Sequence, residues 1–587
     1  MLYAWIVLSL EIRILRKGTK QVKTNIFHLL LSAMVIALPV QSFAQNDDPF
    51  EDDPFGAQQN SMRRAPRNQG AQWRPSSYED QAAMLEARSK AQIKRNLTYR
   101  FETVGMAGKG DYAPFWHTSN RQGLPSTNPN NGYMHFATLG SMLLPGGFGM
   151  GYGMDLGIGA GLQSNWFVHQ LYIDLDYKWL GMSIGMKERW GELKNPHLST
   201  GGLTWSGNSQ PIPQIRIGIP EYTRIPLLGS WFSVKGYAGY GRFTDDNWRK
   251  SWAEKASGTP EYIDNILFHS KAIFIKTGDT ERFPLEMTLG IEMGSMFGGT
   301  LHNMTMYGQK YDEYNLPSGP RAFWEALLPF NKAGEQGWEN GNTLGSWHLA
   351  FDFTRNEWHA RAYYEHFFED HSSMLGAELK TNRAGERELI SYGFKRNWFD
   401  GLFGLELNLP DGYPVSNVVL EYLCTRGQCG SVCNVDAMQT ERIDGRDGMY
   451  IHSKYLSYTH WGYSIGTPVL LSPIYNQSPE KLDGSIMEGN LYYRSNRVRS
   501  FHLGIDGRAT EKIDYRLMAT HTRHWGTYYV PFEKVEDITS MLLECFYWTG
   551  DAYSWKIGLS FAFDLNDGNL MNNKGVMISL SKLWKVL

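Results

Sequence analysis

Cysteine is scarce in this 587-residue chain: Cys424, Cys429 and Cys433 lie close together and Cys545 far downstream. So few thiols cannot form the main framework of so long a chain. The run Cys424-Thr-Arg-Gly-Gln-Cys429-Gly-Ser-Val-Cys433 also lacks the paired short spacing and nearby fourth ligand of a structural zinc site, so a loop disulfide is preferred over a metal. A basic excess is missing as well. Lys and Arg total 57 against 60 Asp and Glu, a net charge of −3, which leaves nothing to neutralise a run of phosphates and argues against nucleic acid. Apolar runs of about 18 residues or more are absent and the mean hydropathy is −0.40, which excludes a helical membrane protein. No Gly-x-Ser-x-Gly elbow, His-Glu-x-x-His helix or phosphate-cradling glycine loop occurs, so nothing points to an enzyme or to a cofactor.

What is abundant is the material of strands and tight turns: 14% aromatic residues, with 20 Trp, 32 Tyr and 61 Gly. Ahead of it, Ile26 to Val40 is apolar apart from His28 and Ser32, follows Arg16, Lys17, Lys20 and Lys23, and ends at Ser42-Phe43-Ala44. Residues 1–44 therefore read as a signal peptide cut after Ala44, with Leu2 to Leu10 an over-extended start. Gln45 follows the cut, so no lipoprotein anchor is indicated. Residues 45–76, with Asp-Asp-Pro-Phe at Asp47 and again at Asp52, hold little to bury and read as a disordered linker. Residues 77–96 read as a periplasmic helix, Tyr78 to Arg95, capped by Ser77 and ending in Arg88, Lys90, Lys94 and Arg95.

From residue 97 to the end the pattern has period two. Leu171, Ile173, Leu175, Tyr177 and Trp179 alternate with Tyr172, Asp174, Asp176 and Lys178; the same split recurs over Leu285–Gly294 and Trp555–Asp564. One face is apolar and the other polar or small, which a soluble sheet would show too. Sidedness discriminates. Short links such as Leu180-Gly181, Arg355-Asn-Glu357 and Thr510-Glu-Lys512 alternate with long segments, Glu188 to Tyr222, Phe297 to Ser346 and Leu409 to Tyr450. Trp and Tyr at strand ends (Tyr177, Trp179, Trp190, Trp525, Trp555) fit interfacial girdles, and Gly575 to Trp584 reads as a closing strand. The expected class is all-β: a transmembrane antiparallel barrel in the outer membrane.

Six stretches are distinctive in wording: Asp111-Tyr-Ala-Pro-Phe-Trp-His-Thr-Ser-Asn-Arg-Gln-Gly123, Gly185-Met-Lys-Glu-Arg-Trp190 through His197-Leu-Ser-Thr-Gly-Gly202 to Ser206–Arg216, Tyr240-Gly-Arg-Phe-Thr-Asp-Asp-Asn-Trp248, Phe268–Lys271, His460-Trp-Gly-Tyr-Ser-Ile-Gly-Thr-Pro468 and Asn496–Ile505. Together they resemble the capsule-assembly Wzi family in its Bacteroidetes form. The resemblance implies about 18 strands with periplasmic helical structure and a non-catalytic role in holding surface polysaccharide. The Cys424–Cys433 loop and the acidic stretch after the leader depart from it.

Within that frame Arg189, Trp190, Asn195, Trp205, Asn208, Gln210, Gln214 and Arg216, with Asp245 and Trp248, are the candidate polysaccharide contacts. Amides and guanidinium give directional hydrogen bonds to hydroxyls and carboxylates, and Trp faces stack on sugar C–H surfaces. The competing account is a loop folded into the lumen whose polar groups satisfy one another. His359, Glu365, His366, Glu369, Asp370 and His371 could suggest a metal, but His359 and His366 are an odd number apart on a strand and face opposite ways. Asp245-Asp246 has no second carboxylate placed for glycosidic cleavage. The expected function is to bind and help assemble or retain capsular or other exopolysaccharide, with outer-membrane lipid and envelope export proteins as further partners. The alternative is a diffusion channel, favoured by Asp174, Asp176, Glu286 and Glu292 on the polar face.

Overall fold

The computed structural model describes residues 94–585, apart from 145, 226–230, 257, 281–282, 307–308, 329–340, 370–376, 382–386, 392–398, 411, 428–447, 478–488, 552 and 569. The leader, the linker and nearly all of the expected N-terminal helix lie outside the described residues. Lys94 and Arg95, assigned to the end of that helix, begin the first strand instead.

Eighteen strands form one closed antiparallel sheet. They are β1 Lys94–Lys109, β2 Asn131–Leu144, β3 Phe148–Ala160, β4 Trp166–Tyr177, β5 Leu180–Met186 and β6 Gln214–Arg224. Next come β7 Phe232–Arg242, β8 Leu267–Thr277, β9 Leu285–Phe297, β10 Asn342–Arg355, β11 Trp358–Glu369 and β12 Gly401–Asn408. The last six are β13 Val415–Cys424, β14 Val498–Thr510, β15 Ile513–Gly526, β16 Pro531–Trp548, β17 Trp555–Asn566 and β18 Lys574–Lys585. Each pairs with its sequence neighbour, and β18 closes on β1 from Thr98↔Lys585 to Lys109↔Lys574. Closure leaves no sheet edge, so the backbone can sit in hydrocarbon.

Alternation explains which face goes where. Along β17, Trp555, Ile557, Leu559, Phe561, Phe563 and Leu565 are exposed, while Ser560, Ala562, Asp564 and Asn566 are buried inside. Outward Met154, Leu156 and Ile158 on β3 and Leu171, Ile173 and Leu175 on β4 extend the same belt. An apolar surface running around the whole wall far exceeds what a soluble monomer exposes. It is what acyl chains require.

The two ends differ as expected. Two-residue links close β4–β5 and β10–β11, with Lys178 (φ 55°) and Asn356 (φ 52°) in the left-handed conformation such hairpins need. Lys178-Trp179 is the link itself; Leu180 and Gly181 already belong to β5. At the opposite end six long connections span residues 110–130, 187–213, 243–266, 298–341, 370–400 and 425–497, beside short ones at 161–165, 527–530 and 567–573. The expected long segment Leu409–Tyr450 is in fact a short link, strand β13 and the start of the 425–497 connection. Tyr177, Trp179 and Trp555 form part of the girdle at the short-link end. Trp190 does not: it lies within the barrel, so close to Gly207 that a Cβ there would fall 2.1 Å from its ring.

Candidate functional site

Three long connections, 110–130, 187–213 and 243–266, turn inward from the loop end and, with residues 448–477, fill the lumen, reaching down to Glu406 of β12 and Ser183 of β5 near the short-link end. Residues 110–130 carry a short helix α1, Phe115–Thr118; residues 243–266 carry α2, Asp246–Ala253. Their aromatic and aliphatic side chains form one buried cluster, including Tyr112, Trp116, Trp205, Phe243, Trp252, Tyr450, Tyr458, Tyr463 and Tyr493.

A backbone that leaves the sheet must find new partners for its amides, because a buried unpaired N–H is costly. Carboxylates on the inner wall supply them. Glu365 of β11 accepts the amide of Leu203 at 2.8 Å and pairs with Lys194 at 3.0 Å. Glu369 accepts the amide of Tyr450 at 2.6 Å, and Asp564 of β17 that of Phe115 at 3.1 Å. Glu406 of β12 holds the Asn195 amide group at 3.0 Å, and Glu544 of β16 binds Arg121 at 2.9 Å and Arg516 through its Nε at 2.8 Å.

The ten sequence-predicted residues fall into two groups. Trp205, Asn208, Gln214, Asp245 and Trp248 are buried. Asn208 accepts the amide of Asn120 at 3.1 Å and donates to the carbonyl of Ser464 at 3.0 Å. Gln214 accepts from Ser270 at 2.6 Å and from Arg216 at 3.1 Å, and the Arg216 guanidinium lies 4.8 Å from the Trp205 ring and 4.1 Å from that of Tyr237. Asp245 pairs with Arg249 at 3.1 Å and accepts the amide of Trp461 at 2.9 Å, while Trp248 stacks on Trp252 at 5.2 Å. Arg189, Trp190, Asn195, Gln210 and Arg216 are half-buried and keep part of their surface open. Arg189 donates to Ser183 at 2.9 Å and Gln210 to the carbonyl of Gly123 at 3.5 Å.

The 189–216 segment and α2 meet through a third element. His460 touches the Gln210 carbonyl at 3.0 Å with Nδ1 and the Thr244 amide at 3.2 Å with Nε2, so the neutral ring protonated on Nδ1 satisfies both. Its burial lowers the pKa below the usual imidazole value. Residues 458–466 and the wall glutamates are the members of the site that the sequence did not single out as contacts. Their traces in the sequence were the His460–Pro468 segment, marked only by its resemblance, Glu365 and Glu369, weighed only as metal ligands, and acids at strand positions that alternation marked as polar.

The polar-face acids Asp174, Glu286 and Glu292 are each engaged: Lys187 binds Asp174 at 2.6 Å, Lys276 binds Glu286 at 3.2 Å, and the Tyr237 hydroxyl donates to Glu292 at 2.9 Å. His359 meets Asp352 inside at 3.0 Å, whereas His366 lies beside Tyr364 on the outer wall, as their odd spacing requires. Among the described residues no group of three or more His, Cys, Asp or Glu is arranged to hold a metal ion. Cys424 and Cys545 are free; Cys429 and Cys433 lie outside the described residues.

No family model matches the chain, and no curated protein matches it in sequence. Its fold is similar to solved outer-membrane barrels. One is Wzi of Escherichia coli, described as an outer membrane protein involved in group 1 capsule assembly and a carbohydrate-binding β-barrel, at 14% identity and TM-score 0.48 over 82% of this chain and 83% of that one. Others are OccAB2 of Acinetobacter baumannii, at 8% identity and TM-score 0.41 over 84% and 98%, and OccD3 of Pseudomonas aeruginosa, at 10% and 0.39 over 88% and 99%. At such identities the likeness is one of fold alone.

Proposed function

We propose that this chain is a plugged outer-membrane barrel of the capsule-assembly Wzi type that binds and helps retain capsular or other surface polysaccharide, without catalysis. The observation that carries this reading is the filled lumen: three inward connections and residues 448–477 are fastened to the wall by buried carboxylates, an arrangement suited to a fixed binding surface rather than a passage. In it the half-buried Arg189, Trp190, Asn195, Gln210 and Arg216 contact the glycan, and the buried Trp205, Asn208, Gln214, Asp245 and Trp248 hold them in place. Half-open amides and a guanidinium over indole and phenol rings give both the directional bonds and the flat apolar faces that sugars use.

Purified capsular polysaccharide is expected to bind the detergent-solubilised protein, with affinity reduced about tenfold in Gln210→Ala or Arg216→Ala, the loss of one or two good contacts. Undiminished binding in both variants, folding intact, would move the site elsewhere. Planar-bilayer recordings address the channel alternative: a silent barrel is expected, and steady single-channel conductance in the wild-type protein would favour diffusion.

A further inference from the structure

The outer wall is indented where the barrel closes on itself. A groove of about 930 Å³ opens at the loop end of β1, β17 and β18. Its origin is local composition. Ala107, small and outward-facing on β1, lies in the groove, and the next outward position below it is Gly105, where a Cβ would meet nothing within 4 Å; Phe561 and Phe563 stand out from β17 with 47% and 37% of their surface exposed. The floor is low and one wall is aromatic.

At the upper end of this slot Lys109 and Lys574 are direct cross-strand partners, both exposed and on the outward parity of Ala107 and Val576. Neither has an ion-pair partner among the described residues. Two like charges directly opposed weaken a sheet unless an anion lies between them. Their height is telling. Trp584, in the girdle at the short-link end, and Lys574 are ten positions apart on β18; at about 3.3 Å per residue and a tilt of about 40° this is roughly 25 Å, the height of an apolar membrane belt. The lysines therefore stand at the headgroup level of the outer leaflet, across from Phe563, with Ala107, Val576 and Phe561 one pleat below them in the acyl layer.

We infer that this groove binds a phosphorylated lipid of the outer leaflet, its phosphate between the two ammonium groups and an acyl chain along the floor beside Phe561 and Phe563. Lysine serves such a phosphate as a point charge. The inference needs only the membrane placement of the barrel and is independent of the polysaccharide role.

The test is native mass spectrometry of the full protein, delipidated in detergent and titrated with lipid A, with dephosphorylated lipid A, and with lipid A in the presence of inorganic phosphate. Lipid A is expected to bind at least about tenfold more tightly than its dephosphorylated form, with free phosphate unable to displace it. Lys109→Gln/Lys574→Gln is expected to abolish that preference. Ala107→Trp, which fills the slot and keeps both charges, is expected to weaken lipid A by a similar factor. Heat-modifiable gel mobility verifies that each variant is folded, and capsule binding should stay at wild-type level in both. Equal binding of the two lipid forms, wild-type affinity in the folded variants, or displacement by phosphate alone would overturn the assignment.

Discussion

Glu421, on the inner wall of β13, accepts both the amide and the hydroxyl of Thr200 at 2.7 Å each. The hydroxyls of Ser199 and Tyr363 donate to its other oxygen at 2.6 Å. One strand residue thus satisfies the backbone and side chains of a loop more than two hundred positions earlier in the chain. Glu421→Ala strands these donors in a buried place, at about 1–3 kcal/mol for each that finds no water. Hydrogen exchange at 199–201 should accelerate strongly while β13 itself stays protected; unchanged exchange there would show that the contact does not hold the plug.

Lys194 and Glu365, 3.0 Å apart with 3% and 0% of their side chains exposed, predict an asymmetric result. Lys194→Met leaves a buried carboxylate without its counter-ion, a loss of about 3–5 kcal/mol. Adding Glu365→Gln should recover much of it, because the amide oxygen can still accept from Leu203. Unfolding by urea in lipid vesicles measures both, and a double variant no better than the single one contradicts the pairing.

Acid should loosen the plug before it harms the wall. Burial, aided by nearby Arg121, lowers the His117 pKa to about 3; burial, aided by Arg516, does the same for His197. An imidazole held below its unfolded value of roughly 6.5 stabilises the fold fully above that pH and loses the contribution as pH falls through the window from about 6.5 to 3, where the unfolded chain binds more protons. Protease cleavage within 110–130 and 187–213 should therefore increase between pH 6.5 and 4 while heat-modifiable mobility persists. Constant resistance across that range would contradict it.

The membrane assignment of the outer face separates neighbouring positions on β17. Leu559, 41% exposed, lies mid-belt, and Leu559→Arg should cost about 2–4 kcal/mol in a bilayer. Ser560, 1% exposed, bonds His117 Nε2 at 2.9 Å, so Ser560→Ala should cost only about 1 kcal/mol and act through α1. Equal effects at the two sites would show that the face of Leu559 does not meet lipid.

Alternation and the sidedness of the links together determined the barrel. Trp555 to Asp564 declares two faces that a soluble sheet would share, and the short links at one end, the long segments at the other and the closing strand Gly575–Trp584 assigned those faces to lipid and lumen. Local patterns misled where a segment was aperiodic: Leu409–Tyr450 concealed β13, and Trp190 matched a girdle residue in type while lying inside. Only the tertiary structure decided where the polar, aromatic connections go. A run such as Ser206–Arg216 has the same composition whether it stands in water or fills a lumen; what places it and its neighbouring connections inside is partners remote in sequence, Ser464 for Asn208, Trp461 for Asp245, Glu421 for Thr200. Those pairings have no period, because each is fixed by the closure of a wall that brings distant strands around the same interior.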